Sequence, residues 1–154
     1  MRKFFCLILA MSSLSCSPLN NRYREEDRGK DKPASKLTEM SELKASNKKF
    51  KIEHQWVGGP FGSIHQPSSL LIFVRDETGA FAKLPEGTQL GFSALMPSMG
   101  HPLDDPGFFK ELQPGMYLNS AITFNMPGDW EMKISLLENQ TFKTLDEIIW
   151  LELF

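Results

Sequence analysis

Apolar and polar side chains alternate with a period of two through most of the chain beyond residue 50, the pattern of half-buried β-strands. Phe50, Ile52, His54 and Trp56 share one face of a first predicted strand, which Gly58-Gly59-Pro60 ends. Ser69 to Arg75 is nearly all apolar, and Asp76-Glu77-Thr78-Gly79 turns the chain after it. Leu90, Phe92, Ala94 and Met96 form the inner face of a third strand, which Pro97 stops. Tyr117 to Asn125 follows with Leu118, Ile122 and Phe124 on one side, then Trp130, Met132, Ile134 and Leu136 alternate likewise. The last strand carries Ile149, Leu151 and Leu153 on one face and Ile148, Trp150 and Phe154 on the other. An apolar strand of this two-sided kind is either a contact surface or is covered by a loop. Residues 50–154 have the length and strand spacing of one immunoglobulin-like antiparallel β-sandwich, an all-β fold.

The stretch before residue 50 reads differently. Arg2 and Lys3 precede an apolar run from Phe4 to Leu14, a signal-peptide pattern. That run falls well short of the roughly 20 residues a membrane-spanning helix needs. Ser12-Ser13-Leu14-Ser15-Cys16 resembles a bacterial lipobox, although Leu14 stands one place later than the family pattern prefers. The resemblance makes residues 1–15 a lipoprotein signal peptide and Cys16 the lipid-carrying N-terminus of the mature chain; ordinary cleavage leaving a free thiol is the other reading. Ser17, rather than Asp, after Cys16 points to the outer membrane, with the domain facing the periplasm. Residues 16–49 are charged and small-polar, with Pro18 and Pro33 and scattered Leu37, Met40 and Leu43, which suits a flexible tether. A short helix over Lys36 to Lys48 is the alternative there, though such helices are marginal in water.

Charge divides unevenly between these parts. The tether holds nine Lys or Arg against six Asp or Glu, and residues 50–154 hold six against thirteen. A basic tether suits an anionic membrane surface beside the anchor. The acidic domain lacks the positive footprint that phosphate backbones require, so no nucleic-acid partner is expected. Cys6 leaves with the signal and Cys16 would be acylated, so the domain has no thiol for disulfides, zinc or redox chemistry. No nucleophile elbow, phosphate loop or His-Glu-x-x-His motif occurs, and no enzymatic activity is expected.

One cluster stands out from packing: Met96-Pro97-Ser98-Met99-Gly100-His101-Pro102, where a strand gives way to a loop. Thioether and imidazole groups are ligands that suit copper, Met favouring Cu(I). Pro97, Gly100 and Pro102 restrict the backbone around them. Met96, Met116, Met126 and Met132 lie in phase with apolar strand positions and read first as core, since methionine fills cores well. Met99 and His101 fit no alternation and are either metal ligands or a plug over the sandwich end. His54, the polar member of an apolar face, is a second candidate, of the kind ordinarily satisfied by a hydrogen bond. His65 reads as surface. Asp104 and Asp105 raise a Ca²⁺ alternative but lack the spacing of a calcium loop. Pro114-Gly115-Met116-Tyr117 and Pro127-Gly128-Asp129-Trp130 each open a strand with an aromatic, either as at the tyrosine corner of immunoglobulin-like sandwiches or simply as a turn followed by a core aromatic.

The Met96-Pro97-x-Met99-x-His101 loop, Gly115-x-Tyr117 and Met126-Pro127-Gly128-x-Trp130 together resemble the YtkA-like domain, which is related to FixH. The resemblance covers residues 50–154. It implies an immunoglobulin-like sandwich associated with copper handling outside the cytoplasm. With the loop stiffened and Met99 and His101 outside the strand alternation, these two are expected as principal Cu(I) ligands, with Met96 or Met126 completing the site. The chain departs from another group of periplasmic copper chaperones, whose long His and Met spacings are absent, and from FixH-type members, which membrane helices hold. Two functions stay open: a copper-binding envelope lipoprotein, or a metal-free module whose loops or Trp150 surface contact another envelope protein.

Overall fold

The structure, a computed structural model, describes residues 41–45 and 48–154. These residues form nine strands: β1 (Ser41–Ala45), β2 (Lys48–Gly58), β3 (Ser68–Arg75), β4 (Thr88–Met96), β5 (His101–Pro102), β6 (Lys110–Gln113), β7 (Met116–Ile122), β8 (Asp129–Glu138) and β9 (Thr144–Leu153). The strands make two sheets, in the orders β1-β2-β3-β7-β6 and β5-β4-β8-β9. Every strand pairing is antiparallel. With β2 to β9 lettered A, B, C, C′, D, E, F and G, the sheets read A-B-E-D and C′-C-F-G. That is the immunoglobulin-like order, with β1 added beside strand A.

The alternation places the core where expected. Phe50, Ile52, His54 and Trp56 face inward from β2, and Leu90, Phe92, Ala94 and Met96 from β4. Trp130, Met132, Ile134 and Leu136 of β8 are fully buried. Aromatic rings link the two sheets. Phe124 meets Trp130 at 5.1 Å, Phe154 at 5.0 Å and Trp56 at 6.1 Å, all edge-on. This is the favourable geometry for ring quadrupoles.

Two expectations change. Part of the tether expected to end at Lys49 is strand: β1 pairs with β2 and buries Leu43 and Ala45, and β2 itself begins at Lys48. The sandwich therefore starts no later than Ser41. β7 also departs from its expected phase. Ser68 pairs with Ile122 and Leu70 with Asn119, so β7 spends one more residue than β3 across this step. The bulge switches which side faces in. Tyr117 and Asn119 point inward before it and Ile122 after it, while Met116 and Leu118 lie half-buried on the outer face.

Asn119 is a fully buried polar residue that the apolar pattern did not flag. Its Nδ2 donates to the Pro106 carbonyl at 2.8 Å, and its Oδ1 accepts from the Ala121 amide at 3.2 Å. A Cβ at Gly107 would come within 2.4 Å of that Oδ1. Asn119 thus pins the long connection between β5 and β6 to the body of the sandwich.

Candidate functional site

The β4–β5 turn and the β7–β8 connection come together at one end of the sandwich. Met96 closes β4 with its side chain in the core, 3% exposed. Its amide carbonyl accepts from the Met99 amide at 3.2 Å, which tightens the turn, and Gly100 takes the left-handed conformation there (φ 62°). The chain then returns as β5, and His101 pairs directly opposite Met96. Directly paired residues of an antiparallel ladder project to the same face. His101 is consequently not a free loop residue: it lies half-buried across the ladder from Met96. Ser98 Oγ donates to Asp129 Oδ1 at 2.6 Å and fastens the turn to the start of β8.

The second wall comes from residues 125–128. Asn125 Nδ2 lies in hydrogen-bonding contact with His101 Nε2. Asn125 Oδ1 is buried with no partner. Met126 is half-buried against the core. Its carbonyl accepts from Trp130 Nε1 at 3.2 Å. Trp130 thereby occupies the start of strand F and bonds back to the preceding corner, the arrangement a tyrosine corner provides. Tyr117 does not close its own corner; its hydroxyl accepts from the Leu84 amide at 3.3 Å, and burial raises its pKa. Gly128 N and Phe154 O pair at 2.9 Å, tying this wall to the C-terminal end of β9.

The expected site residues therefore divide. Met96 and His101 sit side by side, Asn125 touches the imidazole, and Met126 lies in the segment that packs on both. Met99 projects from the turn, 65% exposed. Cys16 lies outside the described residues. Asn125 was missed by sequence reasoning, because one amide between Phe124 and Met126 carries no motif. A weak signal existed in its place on the same short segment as Met126.

The other candidates resolve into structure. Asp105 exchanges backbone hydrogen bonds with Thr123, and its carboxylate accepts from the Gly107 amide at 2.8 Å, a local turn. Among the described residues no group of three or more His, Cys, Asp or Glu is placed to hold a metal ion. His65 is exposed in its loop. His54 is buried, 3% exposed, and stacks on Trp150 at a centroid distance of 4.2 Å. Its Nε2 has no hydrogen-bond partner, contrary to the expectation of a satisfied histidine. Burial lowers its pKa from 6.5 to about 4. An uncharged imidazole is the form that this apolar site tolerates.

On β9, Ile148 is buried and Trp150 half-buried, and Trp150 Nε1 donates to Glu152 Oε2 at 3.1 Å. Ile149, Leu151 and Leu153 point outward, 48%, 74% and 81% exposed. A groove of about 400 Å³ lies between Pro97, Asp129, Trp130 and the Leu151–Leu153 end of this strand. Among the described residues no helix is long and apolar enough to cross a membrane.

No protein-family profile and no curated relative matches the chain. Among solved structures, FetP of uropathogenic E. coli strain F11, expressed recombinantly in the E. coli periplasm, superposes with a TM-score of 0.44 at 6% identity, covering 74% of this chain and 92% of that one. At that similarity nothing about function is drawn from it.

Proposed function

We propose that this protein is a bacterial envelope lipoprotein whose sandwich binds Cu(I) at the end built by Met96, His101 and Met126. The observation that carries the reading is the direct cross-strand pairing of Met96 with His101. It sets a thioether and an imidazole on one face of the β4–β5 hairpin, a donor set that suits Cu(I). Met126 stands on the adjoining wall, and Met99 on the exposed turn supplies a further sulfur. Soft neutral donors favour Cu(I) over the hard cations that carboxylates would select. The resemblance of these motifs to the YtkA-like domain agrees with copper handling outside the cytoplasm. The signal-like N-terminus and Cys16 agree with a lipid anchor facing the periplasm, most simply in the outer membrane. Binding rather than catalysis is the role.

A competition titration of the purified full-length protein against a Cu(I) indicator tests this reading. Wild type should withdraw Cu(I) from the indicator, while Met96→Leu and His101→Ala should each weaken binding at least tenfold. Failure of wild type to compete, or full binding by both variants, refutes it. Mass spectrometry of the membrane fraction tests the anchor separately: an unmodified N-terminus, or unchanged membrane association of Cys16→Ser, rules it out.

The outward side chains of Ile149, Leu151 and Leu153 support a second reading, an envelope module that docks on another protein without metal. Leu151→Lys and Leu153→Lys would abolish such docking and leave Cu(I) binding unchanged.

A further inference from the structure

We propose that Asn125 caps the Nε2 nitrogen of His101 in the metal-free protein, standing where a metal ion would bind and competing with it. The inference rests on the Cu(I) reading for its functional consequence, but its structural half stands on the hydrogen bonding alone.

Asn125 Nδ2 faces His101 Nε2, and Asn125 Oδ1 is buried without a partner. An amide can be turned over, exchanging its oxygen and nitrogen. The turned form would let Oδ1 accept from an Nε2–H, but it would move the NH₂ group into the place where Oδ1 finds nothing to bond. Orphaned buried N–H groups are rarer than unsatisfied carbonyls. The geometry therefore favours the NH₂ group against the ring. A neutral imidazole has one donor and one acceptor nitrogen. If Nε2 accepts from Asn125, the proton sits on Nδ1 and the Nε2 lone pair is occupied.

An N–H donor on that lone pair occupies the position a Lewis-acidic ion would take. It orients the ring before metal arrives, and metal binding must break it. The result is a site held in ligand-ready geometry whose affinity is lowered by one hydrogen bond, as suits a protein that passes its cargo on.

The Nδ1–H form is the less common one for a free histidine in water, so its presence is diagnostic. Long-range proton–nitrogen correlation spectra of histidine-labelled, metal-free full-length protein at pH 8 should show His101 protonated at Nδ1. In Asn125→Ala the signal should move toward the Nε2–H form. A wild-type Nε2–H signal overturns the cap. In a Cu(I) competition titration, Asn125→Ala should bind roughly three- to tenfold more tightly than wild type, the release of one net hydrogen bond. Equal or weaker binding by a variant that retains the wild-type melting profile overturns the competition. Asn125→Thr, which cannot reach the ring with an amide, guards against a folding defect in the alanine variant and should also bind more tightly. If none of these proteins binds Cu(I) while wild type shows the Nδ1–H form, the metal reading fails and the competition with it, whereas the hydrogen-bond assignment stands.

Discussion

Gly128 lies against the thioether of Met96: a Cβ built on Gly128 would stand 2.7 Å from Met96 Cε and 3.4 Å from Sδ, and its φ of 155° lies in a region L side chains rarely adopt. The glycine lets the backbone of the β7–β8 connection cover the sulfur. Gly128→Ala should push the flexible end of Met96 from its position and cost about 1–3 kcal/mol, chiefly because its φ strains an L residue. Chemical denaturation checks the stability. The same variant should weaken Cu(I) binding if Met96 is a ligand, and unaltered affinity would remove Met96 from the site.

Trp130 joins core packing to the site through its hydrogen bond to the Met126 carbonyl. Trp130→Ala should cost about 3–5 kcal/mol, a large share of a domain's 5–15 kcal/mol. Trp130→Phe keeps most of the apolar volume but leaves that carbonyl short of a donor, a loss of about 1–3 kcal/mol. A melting curve for Trp130→Phe matching wild type would show that the hydrogen bond contributes nothing.

His54 sets a pH dependence whose sign follows from its burial. In the folded chain it stays neutral down to about pH 4, whereas unfolded it takes a proton near 6.5. Between these values the unfolded chain binds the extra proton, so stability climbs as pH rises from about 4 to about 6.5 and is flat above. His54→Phe keeps a ring against Trp150 and deletes the titration. Urea unfolding at pH 4.5 and 7 should show the variant gaining on wild type at the lower pH. Parallel losses in both proteins would mean that His54 is not the group responsible.

Leu43 is fully buried in β1, so the folded unit depends on residues before Phe50. Leu43→Ala in the full chain should cost about 2–5 kcal/mol. A chain cut to residues 50–154 should melt well below one that retains β1, and equal melting temperatures would make β1 dispensable.

What the sequence determined by itself is the part written in side-chain periodicity. Phe50 to Trp56, Leu90 to Met96 and Trp130 to Leu136 alternate because each strand buries one face, and that pattern alone places their inward residues. The remaining choices belong to the tertiary structure. β6 (Lys110–Gln113) is exposed throughout and is a strand only because its backbone pairs with β7. β1 carries two buried side chains in a charged stretch, and only the edge of β2 makes Leu43 and Ala45 core. The bulge in β7 reverses an alternation that would otherwise have put Met116 and Leu118 inside, because one extra backbone residue rotates the side-chain direction by half a period. At the site, the sequence supplied Met96, Met99, His101 and Met126 as donors by residue type. A two-residue strand paired His101 with Met96 and left Met99 at the exposed tip. Asn125 joined them from a connection more than twenty residues away, because hydrogen-bond partners are selected by proximity in space and residue type alone does not encode it.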